Sequence, residues 1–200
     1  TVIRSFENIG DADNKIPSGA TPYDANGDTH IESVYFGDTK GAIWKVNVSD
    51  TDPANWTLTK FFEPQVSQRR PIFYPPAVTK NDIGQVLIFL GTGNEKGLLD
   101  PNVQNYFYEL IDEGATGRES WKKQLSEGEK ILASPAVSNW VVYFTSWVYR
   151  ADSQFCGAGE GRLWGLKVSS SSQNGGDAGL ITLDTQTGKS VPLPDHVRAL

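Results

Sequence analysis

The 200-residue chain has few of the side chains that carry nucleophilic or zinc chemistry, with one cysteine, two histidines and no methionine. A single cysteine, Cys156, excludes a disulfide within the chain, so it is either a free thiol or bridged to a segment outside it. Catalytic nucleophiles need a neighbouring base, and zinc needs several histidine or cysteine ligands. His30, Cys156 and His196 are scattered along the chain. We therefore expect a protein that is not an enzyme.

The chain also lacks long apolar runs and an excess of positive charge. No run approaches the roughly 18 apolar residues of a membrane span, and the first residues lack the basic-then-apolar layout of a signal peptide. Lysine and arginine number 18 against 24 aspartates and glutamates, giving a net charge of −6. This balance disfavours nucleic acid and anionic membranes as partners and suits cation binding.

Turn-forming residues are abundant, with 20 glycines and 11 prolines in a chain that is 38% hydrophobic. This composition favours an all-β fold with many tight turns. The length is that of one domain, which we place at residues 1–200. Because Thr1 looks like a start within a domain, we expect a piece of a larger one.

A repeat supports this fold class and makes it more specific. Phe36, Leu90 and Phe144 lie 54 residues apart, each in an apolar strand that is followed by a second strand with aromatic residues. Periods of about 40–50 residues with several strands are typical of β-propeller blades, and propellers have about four to eight blades. We predict blades of antiparallel sheet from a partial or modified propeller. The residues expected to be buried between blades are Trp44, Leu90, Phe107, Phe144 and Trp164.

A candidate metal loop precedes the first of these strands. Asp24, Asn26, Asp28 and Glu32 place oxygen side chains at positions 1, 3, 5 and 9 of a loop, and His30 at position 7 offers its backbone carbonyl. This is the spacing of an EF-hand-like calcium loop. Position 6 is Thr29 instead of glycine, and position 12 is Tyr35 instead of glutamate. The alternative is a surface turn rich in aspartate, asparagine and glycine.

The loop runs into a predicted hairpin with strands at 32–36 and 42–48. The sequence Gly37-Asp38-Thr39-Lys40-Gly41-Ala42-Ile43-Trp44, together with the acidic loop before it and Asn55-Trp56 after it, resembles the PilY family of type IV pilus-associated proteins. Members of that family carry a C-terminal β-propeller with a calcium loop just before a Gly-Asp-x-x-Gly-x-x-Trp hairpin.

The resemblance implies a calcium-binding module of an exported pilus biogenesis or adhesion protein, at the cell surface or in the extracellular space. Its implied partners are pilus components, other segments of the same precursor, or a host or surface receptor. Calcium would act as a structural or regulatory switch for pilus function.

A second hypothesis is a fragment of a quinoprotein dehydrogenase propeller of the PQQ type. It is motivated by the Asp184-x-x-Thr187-Gly188 turn and by the tryptophan-rich blades. A stacked quinone needs a complete ring of blades around its axis, and this chain supplies too few.

Overall fold

A computed structural model describes residues 2–7, 9–10, 13–149, 159–170 and 178–181. The described chain is all-β and built from antiparallel sheets, which confirms the predicted fold class. The three short 3-10 helices of these ranges are connections between strands, at Pro53–Asn55, Val66–Gln68 and Glu95–Gly97.

The strands form three successive sheets, which we call blades 1, 2 and 3. Blade 1 contains β1 (Thr21–Tyr23), β2 (Ser33–Gly37), β3 (Ile43–Asn47) and β4 (Thr57–Phe62). Blade 2 contains β5 (Ala77–Lys80), β6 (Val86–Gly91), β7 (Tyr106–Asp112) and β8 (Gly117–Gln124). Blade 3 contains β9 (Glu129–Ile131), β10 (Ala136–Ser138), β11 (Val141–Tyr149), β12 (Gly159–Lys167) and β13 (Ala178–Ile181). Both β9 and β10 pair with β11, at different points along its length.

The sequence repeat corresponds to equivalent strand positions in the three blades. Phe36 pairs with Trp44, Leu90 with Tyr108, and Phe144 with Trp164, in each case across the second and third strands of the four-stranded path. The 54-residue spacing therefore marks one repeated pair of strands.

The core lies between the blades, because successive side chains of a strand point to opposite faces. In β6, Ile88 and Leu90 pack toward blade 1, whereas Leu87 and Phe89 pack toward blade 3. The second interface is rich in aromatic rings, and the rings of Phe107 and Phe144 stack with centroids 3.9 Å apart.

Trp44 is the exception among the residues expected between blades. It is buried, with 8% exposure, but packs with Phe36 and Val46 on the face of blade 1 that points away from blade 2. Phe6 and Ile9, from a lead segment without an assigned role, cover this face. The prediction of burial between blades is therefore wrong for Trp44 within the described part of the chain.

The sequence at 119–130 predicts a strand end and then a polar loop or short helix, with Lys122 and Lys123 on a solvated face. The strand end is the last part of β8, but the region then forms β9, whose Glu129 and Lys130 are fully buried. The Glu129 carboxylate accepts hydrogen bonds from Arg162 and Ser146, and the Lys130 ammonium donates to backbone carbonyls. The Lys123 ammonium lies 4.6 Å from the centroid of the Trp164 ring.

The adjacent Asp112 and Glu113 are predicted to be solvated carboxylates, because neighbouring residues of a strand point to opposite faces. Asp112 differs from this prediction, since its side chain is only 9% exposed. Its side chain accepts hydrogen bonds from the Tyr35 hydroxyl and from the Lys45 ammonium, the latter at 2.6 Å. Burial, and then the Asp112 carboxylate, raise the pKa of Tyr35. This polar contact links blade 2 to blade 1.

Cys156, His196 and the Asp184–Gly188 turn lie outside the described residues. The sequence predicts a last strand within residues 179–189, and of this region the structure describes the beginning, where Ala178–Ile181 pairs with β12. Within the described ranges, no helix has the length and apolar character needed to cross a membrane.

Candidate metal centre

The acidic loop, residues 24–32, connects β1 to β2 in blade 1. The two strands pair antiparallel, with Tyr23 opposite Ser33, and the Glu32 amide donates to the Tyr23 carbonyl at 3.2 Å. The strand pairing fixes both ends of the loop and brings its first and last acidic residues together.

Three carboxylates converge within this loop. One oxygen each of Asp24, Asp28 and Glu32 lies within 4.8 Å of the other two. The side-chain amide nitrogen of Asn26 donates to Asp28 Oδ2 at 3.1 Å and to Glu32 Oε1 at 2.8 Å. The positive end of an amide dipole therefore lies between two carboxylates, where a cation would be favoured for the same electrostatic reason.

Backbone amides also donate hydrogen bonds to two of these carboxylates. Asp24 accepts from the amides of Gly27 at 2.6 Å and Thr29 at 2.8 Å, and Asp28 accepts from the His30 amide at 2.8 Å. The Gly27 amide above all lowers the pKa of Asp24, and the His30 amide does the same for Asp28. The two groups are therefore held in their ionised form, which is the form that binds metal.

The backbone of the loop adopts the conformation that position 6 of such loops requires. Thr29 has a φ of +77°, in the left-handed region usually occupied by glycine. The difference from the EF-hand pattern is thus one of residue type, while the local conformation is kept. Such a conformation costs a non-glycine residue about 1–2 kcal/mol, and here the Thr29 amide to Asp24 helps to maintain it.

His30 lies beside the carboxylate cluster. Its exposed imidazole contacts Asp28 Oδ1 at 3.3 Å, and its amide donates to the same oxygen. The role of its carbonyl as a ligand stays a prediction. At position 12, Tyr35 is buried in the interface with blade 2, where its hydroxyl bonds Asp112, so its side chain belongs to the core.

Lys80 is a residue of this centre that the sequence did not single out. It ends β5 of blade 2, and its ammonium donates to the Ala25 carbonyl of the acidic loop. The loop is therefore attached to the neighbouring blade as well as to its own. A lysine at a strand end has no local pattern that would indicate this contact.

The donor set fits a hard cation. Carboxylate and amide oxygens are the ligands of calcium, which takes six to eight of them in flexible geometries. Asp24, Asp28 and Glu32 would hold the ion through carboxylates. Asn26 would hold it through its amide oxygen after a turn of the side chain, because that oxygen accepts from the Asp28 amide at 2.8 Å and the nitrogen faces the carboxylates. Each carboxylate oxygen has two lone pairs, so a backbone hydrogen bond does not exhaust it.

The fold and this loop together define a class: an all-β protein of propeller-like blades with an acidic loop in one blade. Among solved structures, the chain is similar to the C-terminal domain of PilY1 from Pseudomonas aeruginosa, with a TM-score of 0.50 and 11% sequence identity. The match covers 74% of this chain and 46% of the PilY1 domain, so this chain spans less than half of that domain. This likeness concerns the fold. No protein-family model and no curated protein sequence matches the chain.

Proposed function

We propose that this chain is a calcium-binding, non-enzymatic β-propeller module of a type IV pilus biogenesis or adhesion protein. The observation that carries the metal assignment is the convergence of the Asp24, Asp28 and Glu32 carboxylates, two of which share the Asn26 side-chain amide as a donor. The pilus assignment is supported by the similarity of fold to the PilY1 domain and by the Gly-Asp-x-x-Gly-x-x-Trp hairpin.

The ion would neutralise three carboxylates that lie within one loop. Without a cation, their mutual repulsion is offset by the Asn26 amide and by backbone donors. Bound calcium would neutralise the carboxylates more fully than the hydrogen bonds do. The loop would therefore be more rigid with the ion than without it. Because Lys80 joins the same loop to blade 2, the ion would also stabilise the arrangement of the two blades.

This role is structural or regulatory. The loop lies at one end of the blades, where a change in its order alters an exposed surface. In the proposed setting, the surface would face pilus components, other segments of the same precursor or a receptor, outside the cell. Magnesium would compete poorly, because its strict octahedron with bonds of about 2.0–2.1 Å demands a more compact ligand set.

Titration calorimetry on the wild type, Asp24→Ala and Asp28→Ala tests the metal site. The wild type should bind one calcium ion with a Kd between about 10⁻⁷ and 10⁻³ M. Each variant should bind calcium at least about 10- to 100-fold more weakly than the wild type. This is the loss expected when a residue that only supports a metal ligand is removed, and removal of a ligand itself should cost no less.

Asp50→Ala provides a matched control in a second acidic loop. Asp50 accepts hydrogen bonds from the Asp52 amide and the Asn55 side chain, which is ordinary turn chemistry. Calcium affinity should be unchanged in this variant. Absence of heat with the wild type, or equal losses in Asp24→Ala and Asp50→Ala, would contradict the proposal and leave the loop as a hydrogen-bonded turn.

A further inference from the structure

A cleft of about 280 Å³ lies between blades 2 and 3, at the ends of strands β5 and β10. Thr79 and Lys80 line it from β5, Ser138 from β10, and Asn139 and Trp140 from the turn that follows β10. Val137 and Val168 add apolar surface. The volume is at the lower end of the range for small-molecule sites, so the ligand it admits is small.

Trp140 is unusual both in its backbone and in its exposure. Asn139 and Trp140 have φ values of +50° and +61°, as the two central residues of a type I′ hairpin turn require, and asparagine followed by glycine is the preferred pair there. Trp140 stands where glycine is favoured, and its side chain remains 45% exposed. The turn is held in place by the Val168 amide, which donates to the Trp140 carbonyl at 3.0 Å. A tryptophan with this backbone cost, exposed at the edge of a cleft, is a residue from which a binding role can be inferred.

The chemistry of the lining narrows the class of ligand. Lys80 is the single charged residue among those lining the cleft, and its ammonium is already bonded to the Ala25 carbonyl. The cleft therefore offers neither a pair of cations for a phosphate or carboxylate nor an acid for an amine. It combines a flat aromatic ring with the neutral donors and acceptors of Thr79, Ser138 and Asn139.

We infer that this cleft binds a neutral saccharide, whose apolar C–H face stacks on the Trp140 indole while its hydroxyls bond the neutral polar side chains. Aromatic rings contribute a large apolar contact at low cost in conformational entropy. Alternating apolar and hydroxyl surface is what distinguishes a sugar ring from an aliphatic or ionic ligand. The inference does not depend on the calcium site, since none of the three carboxylates lines the cleft.

The test uses the full chain with a panel of neutral mono- and disaccharides: glucose, galactose, mannose, N-acetylglucosamine and their common disaccharides. Saturation-transfer NMR identifies the ligand and calorimetry measures its affinity. At least one member should bind with a Kd on the order of 1 mM. Trp140→Gly should weaken binding at least tenfold. Its melting temperature should be equal to or above that of the wild type, because glycine suits the positive φ.

Ile83→Ala is the matched control. Ile83 lies in the equivalent turn of blade 2 and is 58% exposed, but it does not line the cleft. Its substitution should leave saccharide binding unchanged. Should Trp140→Gly fail to fold, Thr79→Val removes a hydroxyl while keeping the side-chain shape, and it should weaken binding severalfold.

Three results would overturn the inference. They are the absence of binding by every saccharide in the panel, unchanged affinity in both cleft variants, and an equal loss of affinity in Ile83→Ala. Binding of an apolar peptide that depends on Trp140, without any binding of saccharide, would also overturn the assigned ligand class.

Discussion

The two ends of strand β2 carry aspartates with opposite environments. At its end lies Asp38, in the 37–44 hairpin, with 1% exposure. At its start lies the acidic loop, whose Asp24 and Asp28 belong to an exposed segment. Both regions use aspartate as a hydrogen-bond acceptor for nearby backbone amides.

Asp38 has a full set of protein partners. Its Oδ1 accepts from the amides of Lys40 and Ala42, both at 2.9 Å, and its Oδ2 accepts from Asn14 Nδ2 and Trp44 Nε1, both at 2.7 Å. Four donors match the roughly four lone-pair sites of a carboxylate. The carboxylate therefore has a structural role, and no lone pair remains for a cation.

The glycines of the same hairpin have a related explanation. Gly41 has a φ of +85°, and a Cβ at this position would lie 2.7 Å from the Arg70 carbonyl oxygen. A Cβ at Gly37 would collide with the side chain of Ile72. The Gly-Asp-x-x-Gly-x-x-Trp motif is thus a buried turn packed against the following connection.

The aspartates of the acidic loop have fewer protein donors than Asp38. Asp24 accepts from the amides of Asn26, Gly27 and Thr29, and Asp28 accepts from the His30 amide and the Asn26 side chain. The Asn26 side-chain amide is shared by Asp28 and Glu32, and a cation can replace it while the backbone hydrogen bonds to Asp24 and Asp28 are kept. What separates a structural aspartate from a metal ligand is therefore the fraction of its lone pairs that fixed donors occupy.

The largest expected effect is loss of stability in Asp38→Ala. Removal of the carboxylate leaves buried donors unpaired, at about 1–3 kcal/mol each, so we expect a total loss of about 3 kcal/mol or more. Chemical denaturation with and without calcium measures it, and the loss should be the same in both. The matched variant Asp24→Ala should change calcium-free stability far less. A comparable loss in both would remove the distinction between the two ends of β2.

Calcium should stabilise the wild type against unfolding. At a free concentration of 100 times Kd, the expected gain in unfolding free energy is about 2.7 kcal/mol. Thermal or denaturant unfolding measures this gain, which should fall to about 1.4 kcal/mol or less in Asp24→Ala, as a tenfold or larger loss of affinity requires, and persist in Asp50→Ala. Persistence of the full gain in Asp24→Ala would assign the calcium effect to some other part of the molecule.

Thr29→Gly should stabilise the folded conformation of the acidic loop. Glycine adopts the φ of +77° without the cost that threonine bears, so we expect a gain of about 1 kcal/mol in the free energy of unfolding. Because the loop has this φ before calcium binds, calcium affinity should not fall. Gly27→Ala is the opposite control. It imposes a Cβ at a φ of +81° where no heavy atom lies within 4 Å, so any loss reflects backbone conformation alone. Weaker calcium binding by Thr29→Gly would show that threonine has another role at this position.

The smallest effect is the change in stability at acidic pH. Because backbone hydrogen bonds lower the pKa of Asp24 and Asp28 below 3.8, their contribution to stability is complete above pH 3.8. It is lost as the pH falls through the lowered pKa of the folded state. NMR titration of the side-chain carboxyl carbons in calcium-free buffer should show both midpoints below 3.8. Midpoints at or above this value would mean that the amide contacts are not formed in solution.

The fold was largely predictable because its signals are local. Alternating and β-branched residues predict most strands, and the apolar run around Leu90, Val86-Leu-Ile-Phe-Leu-Gly91, is strand β6. The hairpin strands lie at Ser33–Gly37 and Ile43–Asn47, shifted by one residue at their ends from the predicted ranges. Strand β9 was missed because Glu129 and Lys130 are charged, and their burial depends on Arg162 and distant carbonyls that no local pattern reveals.

The all-β class, the 54-residue repeat and the spacing of the acidic loop can be recognised in the sequence, since each depends on periodicity or on residues close together in the chain. Three other features depend on contacts between distant segments: the lead segment covers Trp44, Lys80 reaches the acidic loop, and Trp140 borders a cleft between blades. Burial and hydrogen bonding at these places are set by the segments that meet there. These contacts follow from the packing of whole blades, and a local sequence pattern describes only one of the two segments in each contact.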